Sequence, residues 1–158
     1  MTVATLSSAK SQHHSSKIAD ELTHILADTY TLYLKTQNFH WNVTGPNFHS
    51  LHLMFEEQYK ELAEAIDLIA ERIRALKANT PASFSNFLKL TSLKEENGVP
   101  ATKDMLKQLT KDHETIVNQL YNSLSKAQKA QDEGTMDLCI ERIRAHEKTA
   151  WMLHSCLE

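Results

Sequence analysis

Apolar residues recur along this chain at alternating spacings of three and four, and only three glycines and three prolines interrupt its 158 residues. Such a pattern leaves little besides long amphipathic helices. Ile18, Leu22, Ile25, Thr29, Leu32, Thr36, Phe39 and Val43 make one stripe over about seven turns. Asp20 and Glu21 open it where the helix dipole favours acids, and Gly45-Pro46 ends it. Phe48, Leu51, Phe55, Leu62, Ile66, Ile69, Ile73 and Leu76 continue at once as a second stripe. A third runs through Leu106, Leu109, Ile116, Leu120 and Leu124. A fourth holds Met136, Ile140, Ile143, Ala150, Leu153 and Leu157, with Gly134 near the break. With 41% hydrophobic and 23% charged residues, the chain has the composition of one globular domain with a sizeable core.

The links decide the topology. The first and last are short, so each joins two antiparallel neighbours. The middle link, residues 77–100, is long. It carries Asn79, Pro81, Asn97, Gly98 and Pro100 around an apolar stretch, Phe84, Phe87, Leu88 and Leu90, that predicts a short helix. Two hairpins joined by one long crossover define an all-α, ferritin-like four-helix bundle, with a short helix in the crossover between helices two and three. The bundle is expected over residues 16–158. Residues 1–15 read as a mobile tail, because residues 1–19 contain Lys10 and Lys17 and no acid.

Several classes of function fall away. No apolar run approaches the roughly 20 residues a bilayer requires, and no secretory signal is visible, so no membrane role and a cytoplasmic location are expected. A net charge of −3 does not suit a generic nucleic-acid binder. Cys139 and Cys156 follow no metal-finger spacing and read as reduced thiols.

A metal site is the chemistry that the spacing supports. Bundles of this topology usually carry Glu-x-x-His on two helices. Here only Glu21–His24 fits, which reads as a surface pair. A better cluster starts with His40, at the end of helix one, and His52, early in helix two. Glu56, Asp67 and Glu71 then share the stripe of His52 along helix two. Imidazole with carboxylate and no thiolate suits iron, manganese or zinc. His52 and Asp67 lie roughly 22 Å apart along one helix, so they cannot hold one ion. If both are ligands, they come from different chains, and a two-fold dimer would make two such sites. Charged residues on a helix face are otherwise a solvated surface.

At this cluster the sequence resembles a known family. Residues 38–46 read NFHWNVTGP, followed by Phe48, Leu51-His52, Phe55-Glu56, Tyr59, Leu62 and Asp67. Residues 70–74 read AERIR, and residues 147–153 read EKTAWML. From about residue 16 onward the chain looks like the Dps family, the DNA-binding proteins from starved cells, or bacterial miniferritins. The resemblance implies a hollow shell of twelve copies with di-iron ferroxidase sites at its two-fold interfaces, His40 and His52 coming from one subunit and Glu56, Asp67 and Glu71 from its partner. Many members have Asp where Glu56 stands. The implied reaction oxidises Fe(II), preferentially with hydrogen peroxide, and stores ferric mineral in the cavity. Zinc or manganese could substitute for iron. Trp41 resembles a tryptophan that donates an electron near the site; its plainer reading is an interface aromatic. Glu133 and Asp137 resemble acids that line an iron pore at a three-fold axis, with Glu141 next in register on the same face, although acids there also answer the helix dipole.

DNA binding would fall to the tails, through Lys10 and Lys17, with His13-His14 adding charge only toward acidic pH. Twelve copies could act together where one would not. Two alternatives to the ferroxidase store therefore stand: a nucleoid-compacting DNA-binding cage with a vestigial metal site, and a structural cage holding zinc.

Overall fold

The computed structural model describes the backbone of residues 3–158 and the side chains from residue 15 onward. Five helices follow one another: α1 (Val3–Asn42), α2 (Phe48–Ala75), α3 (Phe84–Leu90), α4 (Thr102–Ala130) and α5 (Glu133–Ser155). No strand occurs among the described residues. Helix α1 starts earlier than the apolar stripe, at Val3 rather than near Ser16. The side chains of Lys10, His13 and His14 lie outside the described residues, whereas Lys17 is exposed on α1. No described helix is long and apolar enough to cross a membrane.

The α1–α2 and α4–α5 hairpins pack through one core, and α1 also packs on α4 and on α3. Thr29 and Thr36 sit in the α1 stripe without a penalty. Both are fully buried, and each hydroxyl donates to the carbonyl one turn back, Ile25 O at 2.7 Å and Leu32 O at 2.8 Å. On α5 the burial differs from the expected stripe. Cys139 is fully buried while Ile140 is 41% exposed, so the inward face departs from the apolar pattern at this turn, while Ile143 and Leu153 follow it.

Two turns show what their sequences are for. Between α1 and α2, Gly45 takes a φ of +104°, a conformation that L side chains rarely adopt. Between α4 and α5 the left-handed residue is Gln131, not Gly134. Gly134 lies inside the first turn of α5, where an added Cβ would meet the Arg72 guanidinium at 2.9 Å. That closeness is used: Arg72 Nε donates to Thr135 Oγ1 at 2.9 Å, and its Nη2 pairs with Asp132, the N-cap of α5. Arg72 thus pins the start of α5 to the end of α2.

The crossover is held from below. Asp28 on α1 is fully buried and accepts from Thr91 Oγ1 (2.6 Å), Ser92 N (2.6 Å), Ser92 Oγ (2.8 Å) and Gln119 Nε2 (2.7 Å). One carboxylate on α1 therefore ties down the exit of α3 and reaches α4. Nearby, Lys35 on α1 forms a buried ion pair with Asp112 on α4 at 2.7 Å.

Candidate metal centre

His40 lies in the last turns of α1 and His52 in the second turn of α2, so the short hairpin sets them face to face. Their rings stack at 3.8 Å with 18° between planes. His40 Nδ1 lies 2.8 Å from the His52 carbonyl oxygen, and His52 Nδ1 lies 2.8 Å from the His40 carbonyl oxygen. A carbonyl oxygen only accepts, so both Nδ1 atoms carry their protons and donate. Nε2 is consequently the nitrogen that each ring leaves available to a ligand. This is the tautomer a metal ligand needs, fixed by the hydrogen bond on the opposite nitrogen.

Glu56 follows His52 by one turn on α2. One ligand atom from each of His40, His52 and Glu56 lies within 4.8 Å of the other two. Lys60, one further turn along, donates to the Glu56 carboxylate. That hydrogen bond, with the Lys60 charge and smaller contributions from His40 and His52, holds the Glu56 carboxyl below its usual range. The Tyr59 ring stands edge-on to His40 at 5.2 Å, and the Phe48 ring lies 5.1 Å from His52. The result is a small cup of two imidazoles and one carboxylate, walled by aromatics, with Phe48 44% exposed at its rim.

The other expected ligands are placed differently. Asp67 and Glu71 are exposed on α2, and Asp67 is about 16 Å from Glu56 along the helix. Within one chain, then, His40, His52 and Glu56 gather at the hairpin while Asp67 and Glu71 lie apart from them. The resemblance groups Glu56 with the two acids instead. The proximity of Glu56 to His52 has a local cause: the two are one helical turn apart, which brings their side chains together on any α-helix.

Trp41 is 64% exposed beside His40. Glu133, Asp137 and Glu141 are exposed along the first turns of α5. Glu21 and His24 do not converge on a common point, since Glu21 accepts from Lys126 and His24 Nδ1 meets Leu90 O at 2.9 Å. Cys139 and Cys156 are both free thiols, and burial pushes Cys139 up to about 11. Lys60 is a site residue that the sequence reading passed over. Its position four residues after Glu56 was the available signal.

A fold of two helical hairpins joined by one long crossover is that of the ferritin-like class. The family model for the ferritin-like domain matches residues 19–158. Among curated proteins, the DNA protection during starvation protein 2 of Bacillus anthracis is 37% identical over 141 residues, covering 89% of this chain and 97% of that one. An uncharacterized low temperature-induced protein of Nostoc sp. is 43% identical over 135 residues, 84% of this chain and 75% of that protein. Among solved structures, Dps from Vibrio cholerae superposes with a TM-score of 0.90 at 35% identity, covering 93% and 92% of the two chains. Dps from Thermosynechococcus elongatus gives 0.91 at 30% identity, covering 94% and 95%. This chain belongs to the Dps family of ferritin-like proteins.

Proposed function

We propose that this protein is the subunit of a hollow, twelve-copy shell that takes up Fe(II), oxidises it at sites shared by two subunits and keeps the ferric product inside. The observation that carries this reading is the cup of His40, His52 and Glu56, with both Nε2 atoms available to a ligand. Three ligands in one chain make half of a two-metal site. Asp67 and Glu71 of a second copy, brought in by a two-fold axis, supply the carboxylates that the half-site lacks. The Vibrio cholerae relative is described as a member of a superfamily of ferritin-like diiron-carboxylate proteins, which accords with iron as the metal. Mixed imidazole and carboxylate ligation also admits zinc or manganese.

Two ferrous ions side by side can give hydrogen peroxide both its electrons. With two protons the products are two ferric ions and two waters, and no hydroxyl radical is released. Trp41 stands ready to supply a single electron when only one ion is present. Glu133, Asp137 and Glu141, exposed on one face of α5, would form the acidic ring through which cations enter at a three-fold axis. Two relatives carry names that describe DNA protection during starvation. We extend that role to this protein, with a cytoplasmic, nucleoid-associated location and with Lys10 and Lys17 of each copy as the contacts.

Ferrous iron and peroxide added to the purified protein should give ferric absorbance at a peroxide-to-iron ratio near one to two, without hydroxyl radical in a spin trap. A preparation that retards DNA in a salt-dependent manner but oxidises iron no faster than buffer would favour the DNA-compacting cage instead.

A further inference from the structure

His113 on α4 and His146 on α5 face each other inside the bundle, 2% and 1% exposed. They belong to no part of the metal cup. Their Nδ1 atoms are 2.8 Å apart, so a single proton lies between them. Arg142, one turn before His146, places Nη2 3.3 Å from His146 Nε2. A guanidinium only donates, so His146 Nε2 accepts, His146 Nδ1 carries the proton, and His113 Nδ1 accepts it. The His113 proton is thereby sent to Nε2, a buried atom with no partner. Glu61 on α2 completes the row by accepting from both Nη atoms of Arg142. The arrangement closes in one protonation state only, with both rings neutral.

An added proton has nowhere to go. A second proton between the two Nδ1 atoms would set one N–H against the other and break the link between α4 and α5. It would also put a cation beside the Arg142 guanidinium where no water screens it. The surrounding charges offer no relief. From α2, Glu61 is engaged by Arg142; from α1, Lys35 is engaged by Asp112, the α4 residue next to His113. No carboxylate acts on either ring.

We propose that the His113–His146 pair, braced by Arg142 and Glu61, is an acid-released latch that holds α5 against α4 while both rings are neutral and lets the two helices part when either ring takes up a proton. Burial, and then the Arg142 charge, pushes His113 down to about 3, and burial drives His146 the same way. A histidine held below its open-state value favours the closed state fully above about pH 6.5, and this contribution is lost as pH falls from there toward 3. For His113 alone the opening equilibrium should rise about thirtyfold between pH 8 and pH 5.

The test is amide hydrogen exchange on the full-length assembled protein at pH 8 and pH 5, corrected for intrinsic rates. Peptides of α4 and α5 should lose protection at pH 5 on the order of tenfold or more relative to α1–α2 peptides. The variant H113L/H146M should keep the same protection at both values. Equal loss in wild type and variant, or no loss in wild type, would overturn the proposal. Should the double variant not fold, ring C–H exchange of the two histidines in the wild type decides the matter. Protonation-linked exchange of either ring only as the seam opens supports the latch. A ring that titrates in the ordinary imidazole range with the seam still protected refutes it.

Discussion

Replacing His40 by alanine should abolish tight divalent-metal binding while leaving the fold intact. The hydrogen bonds that orient a metal-binding histidine are themselves worth roughly 10–100-fold in affinity, so losing a whole ring should weaken binding on the order of 100-fold or more. His52→Ala should do the same, because it removes the second imidazole of the cup while the His40 ring loses none of its own orienting bond to the residue-52 carbonyl. The structural loss is one hydrogen bond across the α1–α2 hairpin, about 1 kcal/mol. Calorimetric titration with zinc, together with a melting curve on the same sample, separates the two effects. Lys60→Ala should act in the opposite sense. Lys60 occupies the Glu56 carboxylate, so removing it should raise affinity, though by only a few-fold since the Lys60 side chain is 62% exposed. A large drop in affinity on removing Lys60 would mean that it positions Glu56 rather than competing for it.

Asp28→Ala should be the most destabilising single substitution outside the apolar core. It would strand five donors that now converge on one buried carboxylate, two hydroxyls, two backbone N–H groups and the Gln119 amide. Some of these can turn to water once the crossover loosens, so the expected cost is about 3 kcal/mol rather than the sum over every bond. At fixed protein concentration the melting temperature should fall roughly 10 °C. Hydrogen exchange should rise first at residues 91–93, where the crossover leaves α3. Asp28→Asn keeps an acceptor for Thr91 and Ser92 but loses the charge, and should fall between the two.

Much of this was written in the spacing. The four stripes located the four long helices, and Phe84, Phe87, Leu88 and Leu90 located the short one. The inward face of α5 was misread at Ile140 because Cys139, a small residue, is the one that fits the seam. Gly134 looked like a helix break, yet its role is to let Arg72 approach, which depends on a residue far away in the sequence. The resemblance groups Glu56 with the partner's acids, whereas its one-turn spacing from His52 sets it beside the histidines of its own chain. The buried histidines were legible in principle. His113 stands between Leu109 and Ile116, and His146 between Ile143 and Ala150, each where the stripe calls for an apolar residue. What spacing could not reveal was that the two rings meet, since that depends on how α4 and α5 are aligned.

The division of ligands also shapes what a single chain can do. His40, His52 and Glu56 are preorganised by contacts within their own hairpin, so this half should bind metal weakly even before assembly. Asp67 and Glu71 are exposed carboxylates with no comparable frame, and in the proposed shell they would act only where a two-fold neighbour brings them to a cup.

One measurement tests the shared site most directly. A chain carrying His40→Ala and His52→Ala, and another carrying Asp67→Ala and Glu71→Ala, should each assemble and each oxidise iron slowly. Co-expressed, they form mixed two-fold pairs with two interface sites. One site combines all four defects and stays inactive. The other takes its histidines and Glu56 from the second chain and its acids from the first, and is complete. Oxidation should therefore return at about half the sites of every mixed pair. If mass spectrometry confirms mixed assemblies and the rate stays at that of either variant alone, the site is built within one chain and the account is contradicted.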